Sequence, residues 1–194
     1  MSRVTVSNIV SLDGFTADEH GNPLALILDE AFDATNLEHI EAADAVLLGR
    51  TSFEMFSSYW PHIADAPPEP GNRALDDVNR ALSRRYNAVP KVVVSDTLVL
   101  PADNPWADTT TVIARRDIAA RLRKAQDNFV VFGSRTTWNG LLAADLVDEL
   151  HLMVSPVALG RGTPTFTATA LLTLLGTRTF TGSGNVLLRY APAK

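Results

Sequence analysis

Ala45-Val46-Leu47-Leu48-Gly49-Arg50-Thr51 joins an unbroken apolar run to a glycine and two polar residues. Side chains of a strand point alternately to its two faces, so such a run suits a strand covered on both, as in a parallel sheet flanked by helices. Gly49 ends the strand and permits close backbone approach. Thr51-Ser52-Phe53-Glu54 has capping-box spacing and predicts a helix toward Tyr59. The same grammar returns at Phe129-Val130-Val131-Phe132-Gly133-Ser134-Arg135, followed by a predicted helix over 134–144.

Outward from these two junctions the alternation continues. Strands are predicted at 4–10, closing in the turn Ser11-Leu12-Asp13-Gly14, at 91–95 and at 111–113. Helices are predicted over 72–86 and 117–126 from their apolar spacing. Thr35-Asn36-Leu37-Glu38 repeats the capping-box spacing, so another helix starts there or lies within a longer one from about Leu28 to Ala43. Four of the eleven prolines fall between Pro61 and Gly71, which therefore reads as a loop. After Asp148 the texture changes: Leu150, Leu152 and Val154 alternate with His151 and Met153, and two strand-like runs flank Gly182-Ser183-Gly184, a hairpin turn. The expected fold is a single α/β domain over 1–194. Its central sheet is mixed and mostly parallel, with flanking helices and an antiparallel C-terminal edge.

Composition narrows the function. The chain has 194 residues, 46% apolar and 20% charged, ordinary for a folded globular protein. With 17 Lys and Arg against 22 Asp and Glu, net −5 and no basic run, it lacks the face that binds nucleic acid. The absence of cysteine excludes disulfides, thiolate nucleophiles, iron–sulfur clusters and the zinc deaminase signature. His20, His39, His62 and His151 have no metal-ligand spacing, so no metal site is expected, and His151 reads as structural. No run approaches a membrane span and Met1 to Val10 lacks a signal-peptide core, so the expected address is the cytoplasm.

In an open α/β sheet, ligands bind outside the carboxyl ends of the parallel strands. A helix starting there offers unpaired N–H groups and a positive dipole end to an anion, and an adjacent Arg adds a bidentate phosphate partner. Two such junctions, at Gly49-Arg50-Thr51 and Gly133-Ser134-Arg135, suit a dinucleotide. Spacing alone favours the plainer reading of two ordinary helix starts after strands, since neither is GxGxxG or GxxxxGK[ST]. Ser95 and Arg115 fall on the same rim, as candidates for an extra phosphate or the adenine face.

Several pieces occur in one order: Ser11-Leu12-Asp13-Gly14-Phe15; Ala45 to Thr51 with Phe53-Glu54 and Phe56; Val92-Val93-Val94-Ser95; Val130-Val131-Phe132-Gly133-Ser134; Leu146-Val147-Asp148-Glu149-Leu150; and Ser155 to Gly162 with Phe166. In this the sequence resembles the dihydrofolate reductase-like superfamily, in particular the branch of the C-terminal reductase domain of the riboflavin-biosynthesis deaminase-reductase. The resemblance implies NADPH as cofactor. Gly49-Arg50-Thr51 would contact phosphates, Ser95 would sit near the adenosine 2′-phosphate with Arg115 on the same rim, and Gly133-Ser134-Arg135-Thr136 would hold the pyrophosphate. Asp13-Gly14 would lie in a mobile loop that closes over nicotinamide and substrate, and the protein would form a homodimer.

The function so implied is an NADPH-dependent reductase transferring a hydride to a small molecule of pterin-like or ribosylaminopyrimidine type. The alternative is a dinucleotide-binding protein of the same fold without efficient catalysis. Asp13 is the candidate proton-handling carboxylate, although Asp-Gly is also simply a good turn. Asp29, Glu30 and Asp33 read as a solvated acidic face. Of the aromatic residues Phe53, Phe56, Trp60 and Trp138, Trp60 is expected to face a flat ring, with Phe53, Asp13 and Gly14 beside the substrate. The missing cysteines limit the kinship to the reductase half, and Thr51-Ser52-Phe53-Glu54 is closer to stand-alone reductase-like proteins than to the riboflavin enzyme.

Overall fold

The unbroken apolar runs become the centre of an eight-stranded sheet in a computed structural model that describes residues 2–193. Its strands are β1 (Arg3–Ser11), β3 (Ala45–Gly49), β4 (Lys91–Val94), β5 (Thr110–Ile113), β6 (Asn128–Phe132), β7 (Glu149–Ser155), β9 (Leu172–Thr179) and β10 (Val186–Pro192). They lie in the order β5-β4-β3-β6-β1-β7-β10-β9. Neighbours from β5 to β7 are parallel, while β10 is antiparallel to both β7 and β9. The helices are α1 (Glu30–Glu41), α2 (Arg50–Tyr59), α3 (Asp77–Ala88), α4 (Ile118–Lys124) and α5 (Arg135–Ala143). The architecture is the expected α/β class with a mostly parallel sheet and an antiparallel edge.

Both sheet faces are covered, which is why the central strands carry no polar alternation. Val4, Val6, Leu47, Val92 and Val131 pack under α4 and α5 through Ile118, Leu122, Trp138 and Leu141. On the other face Val46, Leu48, Val93 and Phe132 meet Ile40 of α1, Phe53 of α2, and Leu82 and Tyr86 of α3. Burying each such Val, Leu or Phe side chain stabilises the fold by roughly 1.5–3 kcal/mol.

The structure corrects several local expectations. Helix α1 is capped by Asp29, whose Oδ1 accepts the Phe32 N–H at 3.2 Å. Of the two alternatives for Thr35–Glu38 the longer helix holds: Thr35 lies inside it and donates to the Ala31 carbonyl at 2.7 Å. Gly49 is itself the cap residue of α2, and Thr51 is already in the first turn, so no side chain caps that helix. Helix α3 starts at Asp77 under Asp76, because Asn72 caps a separate short 3-10 turn over Arg73–Leu75. Asp33, expected in solvent, is buried between Arg73 and Asn79. A small ribbon of β2 (Phe15–Ala17) and β8 (Thr163–Pro164) was not foreseen, since strands of three and two residues have no readable period.

A polar layer lies beneath α1. Ser7 and His151 are neighbours on β1 and β7, and His39 descends onto them from α1. Ser7 Oγ and His39 Nδ1 are 2.9 Å apart, His39 Nε2 and His151 Nδ1 2.7 Å, and His151 Nε2 and Glu149 Oε2 2.7 Å. Glu149 also takes Arg189 at 3.1 Å, and Arg3. A neutral imidazole has one donor and one acceptor. The row can close without added charge if each Nε2 carries the hydrogen and the Ser7 hydroxyl, which also lies 3.1 Å from Asn36 Oδ1, turns to His39. Burial, helped by the nearby His151, lowers the His39 pKa to about 3. Burial opposes the charge on Glu149, but bonds from His151 and Arg189 and the charge of Arg3 outweigh it and bring its pKa to about 2.

The sign of the consequence follows. Below the usual histidine range the unfolded chain takes a proton that folded His39 refuses, so stability is lost as pH falls from about 6.5 toward 3. Glu149 adds a loss in the same direction below about 4.5. Urea unfolding between pH 7.5 and pH 5 should show a loss on the order of 2 kcal/mol from His39, which His39→Gln removes, with a smaller loss remaining from His151, whose pKa burial also lowers. A stability unchanged over that interval would contradict this reading of the layer.

Candidate functional site

Strands β1 and β6 pair from Arg3 opposite Asn128 up to Ser7 opposite Phe132, and there β6 ends. Strand β1 continues through Asn8 to Ser11 with only β7 beside it. Beyond Ser7, at the carboxyl ends of the strands, β1 has no strand partner on its β6 side. Along it the Ile9 N–H is taken by the Asn8 side chain at 3.0 Å.

The turns after β3 and β6 are tied together. Ser134 Oγ accepts the Gly49 N–H at 2.9 Å, and Ser52 Oγ accepts the Ser134 N–H at 3.0 Å. Gly133 and Ser134 are both left-handed, with φ of 53° and 50°. Glycine adopts this freely, whereas for Ser134 it costs roughly 1–2 kcal/mol, offset by its two bonds. A Cβ on Gly49 would lie 2.6 Å from Thr137 Oγ1, so a larger residue here would force Thr137 to turn or α5 to move away. Neither α2 nor α5 has a side-chain cap, so two helix N-termini reach one rim without an internal acceptor.

Three arginines stand at this rim, each with a partner. Arg50 donates to Glu54 Oε1 at 2.8 Å and to Thr97 Oγ1 at 3.2 Å. The Arg115 guanidinium is 3.5 Å from Asp96 Oδ2, and its backbone N–H donates to Asp96 Oδ1 at 2.9 Å. Arg135 donates to the Pro164 carbonyl and so ties the turn after β6 to the β2–β8 ribbon. Thr51 and Thr136 are exposed within the first turns of their helices. Ser95 is buried, and its Oγ accepts the Thr97 and Leu98 amides at 3.2 and 3.0 Å. The exposed hydroxyl at the end of β4 belongs instead to Thr97.

The expected substrate residues are divided. Phe53 is 1% exposed and packs 6.2 Å from Trp106, and Trp60 stacks on Tyr86 at 4.9 Å; both belong to the α2–α3 layer. Asp13 and Gly14 do follow the free edge of β1. The Asp13 carboxylate accepts Ser11 Oγ–H at 2.6 Å and the Leu159 and Gly160 amides at 3.1 and 2.7 Å. The bonds from Ser11 and Gly160 hold its pKa below the usual value, so at neutral pH it is an acceptor rather than a proton donor. The Gly14 carbonyl takes both the N–H and the hydroxyl of Thr165 at 2.9 Å. These bonds hold the loop after β1 as a clamped ribbon.

Sequence reasoning missed Ser52, Glu54, Asp96 and Thr97. Asp96 had a readable signal, being the first residue after Ser95 beyond a buried strand; Ser52 looked like one position of a capping box. A concavity of about 600 Å³ lies elsewhere, between the start of α1 and the β9–β10 hairpin, lined by Asp29, Arg73, Arg178 and Ser183. Its two cations face Asp33 and Glu38.

Comparison with known proteins agrees with this geometry. The family model of the RibD C-terminal domain matches residues 2–187. The uncharacterized protein YyaP of Bacillus subtilis (strain 168) is 26% identical over 195 residues, covering 97% of this chain and 94% of that one. A candidate riboflavin biosynthesis protein from Shewanella sp. PV-4 has the same fold, with a TM-score of 0.70, 20% identity and 99% of each chain covered. The dihydrofolate reductase of Enterococcus faecalis, complexed with NADP(H) and RAB-propyl, matches with a TM-score of 0.61 and 14% identity, over 99% of this chain and 97% of its own. With nearly its whole length matched by the family model, and with the sheet order and rim described above, the chain belongs to the RibD C-terminal domain family.

Proposed function

We propose that this protein is an NADPH-dependent reductase acting on a small heterocycle of pterin-like or ribosylaminopyrimidine type. The observation that carries the proposal is the pair of uncapped helix N-termini, those of α2 and α5, drawn to one rim by the Gly49–Ser134–Ser52 bonds. Family membership and the NADP(H) held by the Enterococcus dihydrofolate reductase support it. The residues present fit a dinucleotide: neither helix start has a side-chain cap, and the left-handed Gly133-Ser134 turn leads directly into α5.

In this reading the first turn of α2, with Gly49, Arg50 and Thr51, and that of α5, with Ser134, Arg135 and Thr136, bind the phosphates. Arg115 and Arg50 serve the 2′-phosphate, and buried Ser95 shapes the turn beneath them. The cofactor, when bound, supplies the hydride. The free edge of β1 from Asn8 to Ser11 orients the ring system, and Asp13 and Gly14 hold the neighbouring loop in place. Because Asp13 is spent as an acceptor, the same site also suits a dinucleotide-binding protein without efficient catalysis.

No described helix is long and apolar enough to cross a membrane, and net charge −5 disfavours nucleic acid; we place the protein in the cytoplasm. Edge strand β9 carries exposed Leu174 and Leu175 beside exposed Leu171, which supports a homodimer through this edge.

Calorimetric titration should give saturable NADPH binding, and Arg50→Ala should weaken NADPH by about tenfold and NADH by less, the scale of one charge-assisted bond. Absence of saturable binding would overturn the proposal. Dihydrofolate, a dihydropterin and a ribosylaminopyrimidine, followed at the nicotinamide absorbance band, separate the two functions: turnover of any supports the reductase, and tight binding with no turnover supports the alternative. Light scattering should give a dimer mass that Leu174→Lys with Leu175→Lys reduces to a monomer; a monomeric wild type would refute the interface.

A further inference from the structure

The ends of β3, β4 and β5 hold four charges in two pairs. Arg50 is fixed by two bonds, to Glu54 and to Thr97, so its charge is largely matched. Asp96 is fixed differently. One oxygen is anchored by the Arg115 backbone N–H at 2.9 Å, while the Arg115 guanidinium, 58% exposed, stands 3.5 Å from the other. The carboxylate is therefore held still and its cation only loosely.

In Rossmann-type sheets the adenosine ribose is read by an acidic side chain that bonds the 2′-hydroxyl or by an arginine that accommodates a 2′-phosphate, and the same charge logic applies wherever a ribose meets such a pair. Beside the phosphate-binding turn after β3, the end of β4 presents both kinds. Ser95 is turned inward, so Asp96 is the first exposed group beyond that strand. A fixed carboxylate suits a hydroxyl donor and repels a phosphate, whereas a loosely held guanidinium can turn to the phosphate.

We propose that Asp96 and Arg115 together set the choice between NADPH and NADH, Asp96 opposing the 2′-phosphate and Arg115 favouring it. The proposal rests on the dinucleotide reading above. Since the two act against each other, the wild-type protein binds NADPH and NADH within about tenfold of one another.

The test is the ratio of NADPH to NADH affinity in the full chain, measured by calorimetry at low and high salt. Asp96→Asn keeps an acceptor for the Arg115 amide and removes only the charge, so the ratio should rise about tenfold toward NADPH. Arg115→Ala should lower it by about tenfold. Both shifts should shrink at high salt, because the groups are exposed and screened. A purely structural role in the turn would move both affinities alike and leave the ratio unchanged. Ratios within twofold of wild type in both variants, with both cofactors still binding, would overturn the assignment. A wild-type protein that binds neither cofactor would instead overturn the dinucleotide reading itself, and with it this one.

Discussion

Two hydrogen bonds, from the Gly49 N–H to Ser134 Oγ and from the Ser134 N–H to Ser52 Oγ, hold together two strand-to-helix turns across 85 and 82 residues of sequence. They bring α2 and α5 to one place. They also offset the left-handed backbone of Ser134, which would otherwise strain the turn. Gly49 completes the constraint because Thr137 occupies the space its Cβ would need. Strand β6 stops opposite Ser7 while β1 runs on to Ser11, so beside this joint β1 has no strand partner on its β6 side.

The central sheet was legible because its strands are buried on both faces, and continuous apolar runs have few other stable homes. The two junctions were legible for the same reason: a glycine after such a run marks where a strand hands over to a helix. Which way a helix face points was not legible. Phe53 and Trp60 share α2 and its extension with exposed residues, and only the packing of α3 against that layer places Phe53 against Trp106 and Trp60 against Tyr86. Asp33 was misread for a related reason, since nothing near it announces that Arg73 and Asn79 will reach it from beyond the proline-rich loop. The His39–His151 contact spans 112 residues and exists only because α1 crosses β1 and β7. No local spacing encodes such a pair.

Electrostatics gives the protein two distinct regions. Beneath α1 a row of neutral histidines ends on a carboxylate held ionised by arginines, a buried arrangement that acid undoes. At the carboxyl ends of the strands, exposed cations and anions alternate around the open rim. An acidic protein can therefore still present guanidinium groups to a phosphate, because each is held locally by a partner it can exchange.

The central claim is that the two tied turns form one binding site. The most direct measurement is backbone amide NMR during an NADPH titration. The account predicts that the amides of Gly49 to Thr51 and Gly133 to Thr136 shift together on a single saturable isotherm, while those around Arg178 and Ser183 stay in place. Shifts confined to the concavity between α1 and the β9–β10 hairpin, or none at either turn, would contradict it.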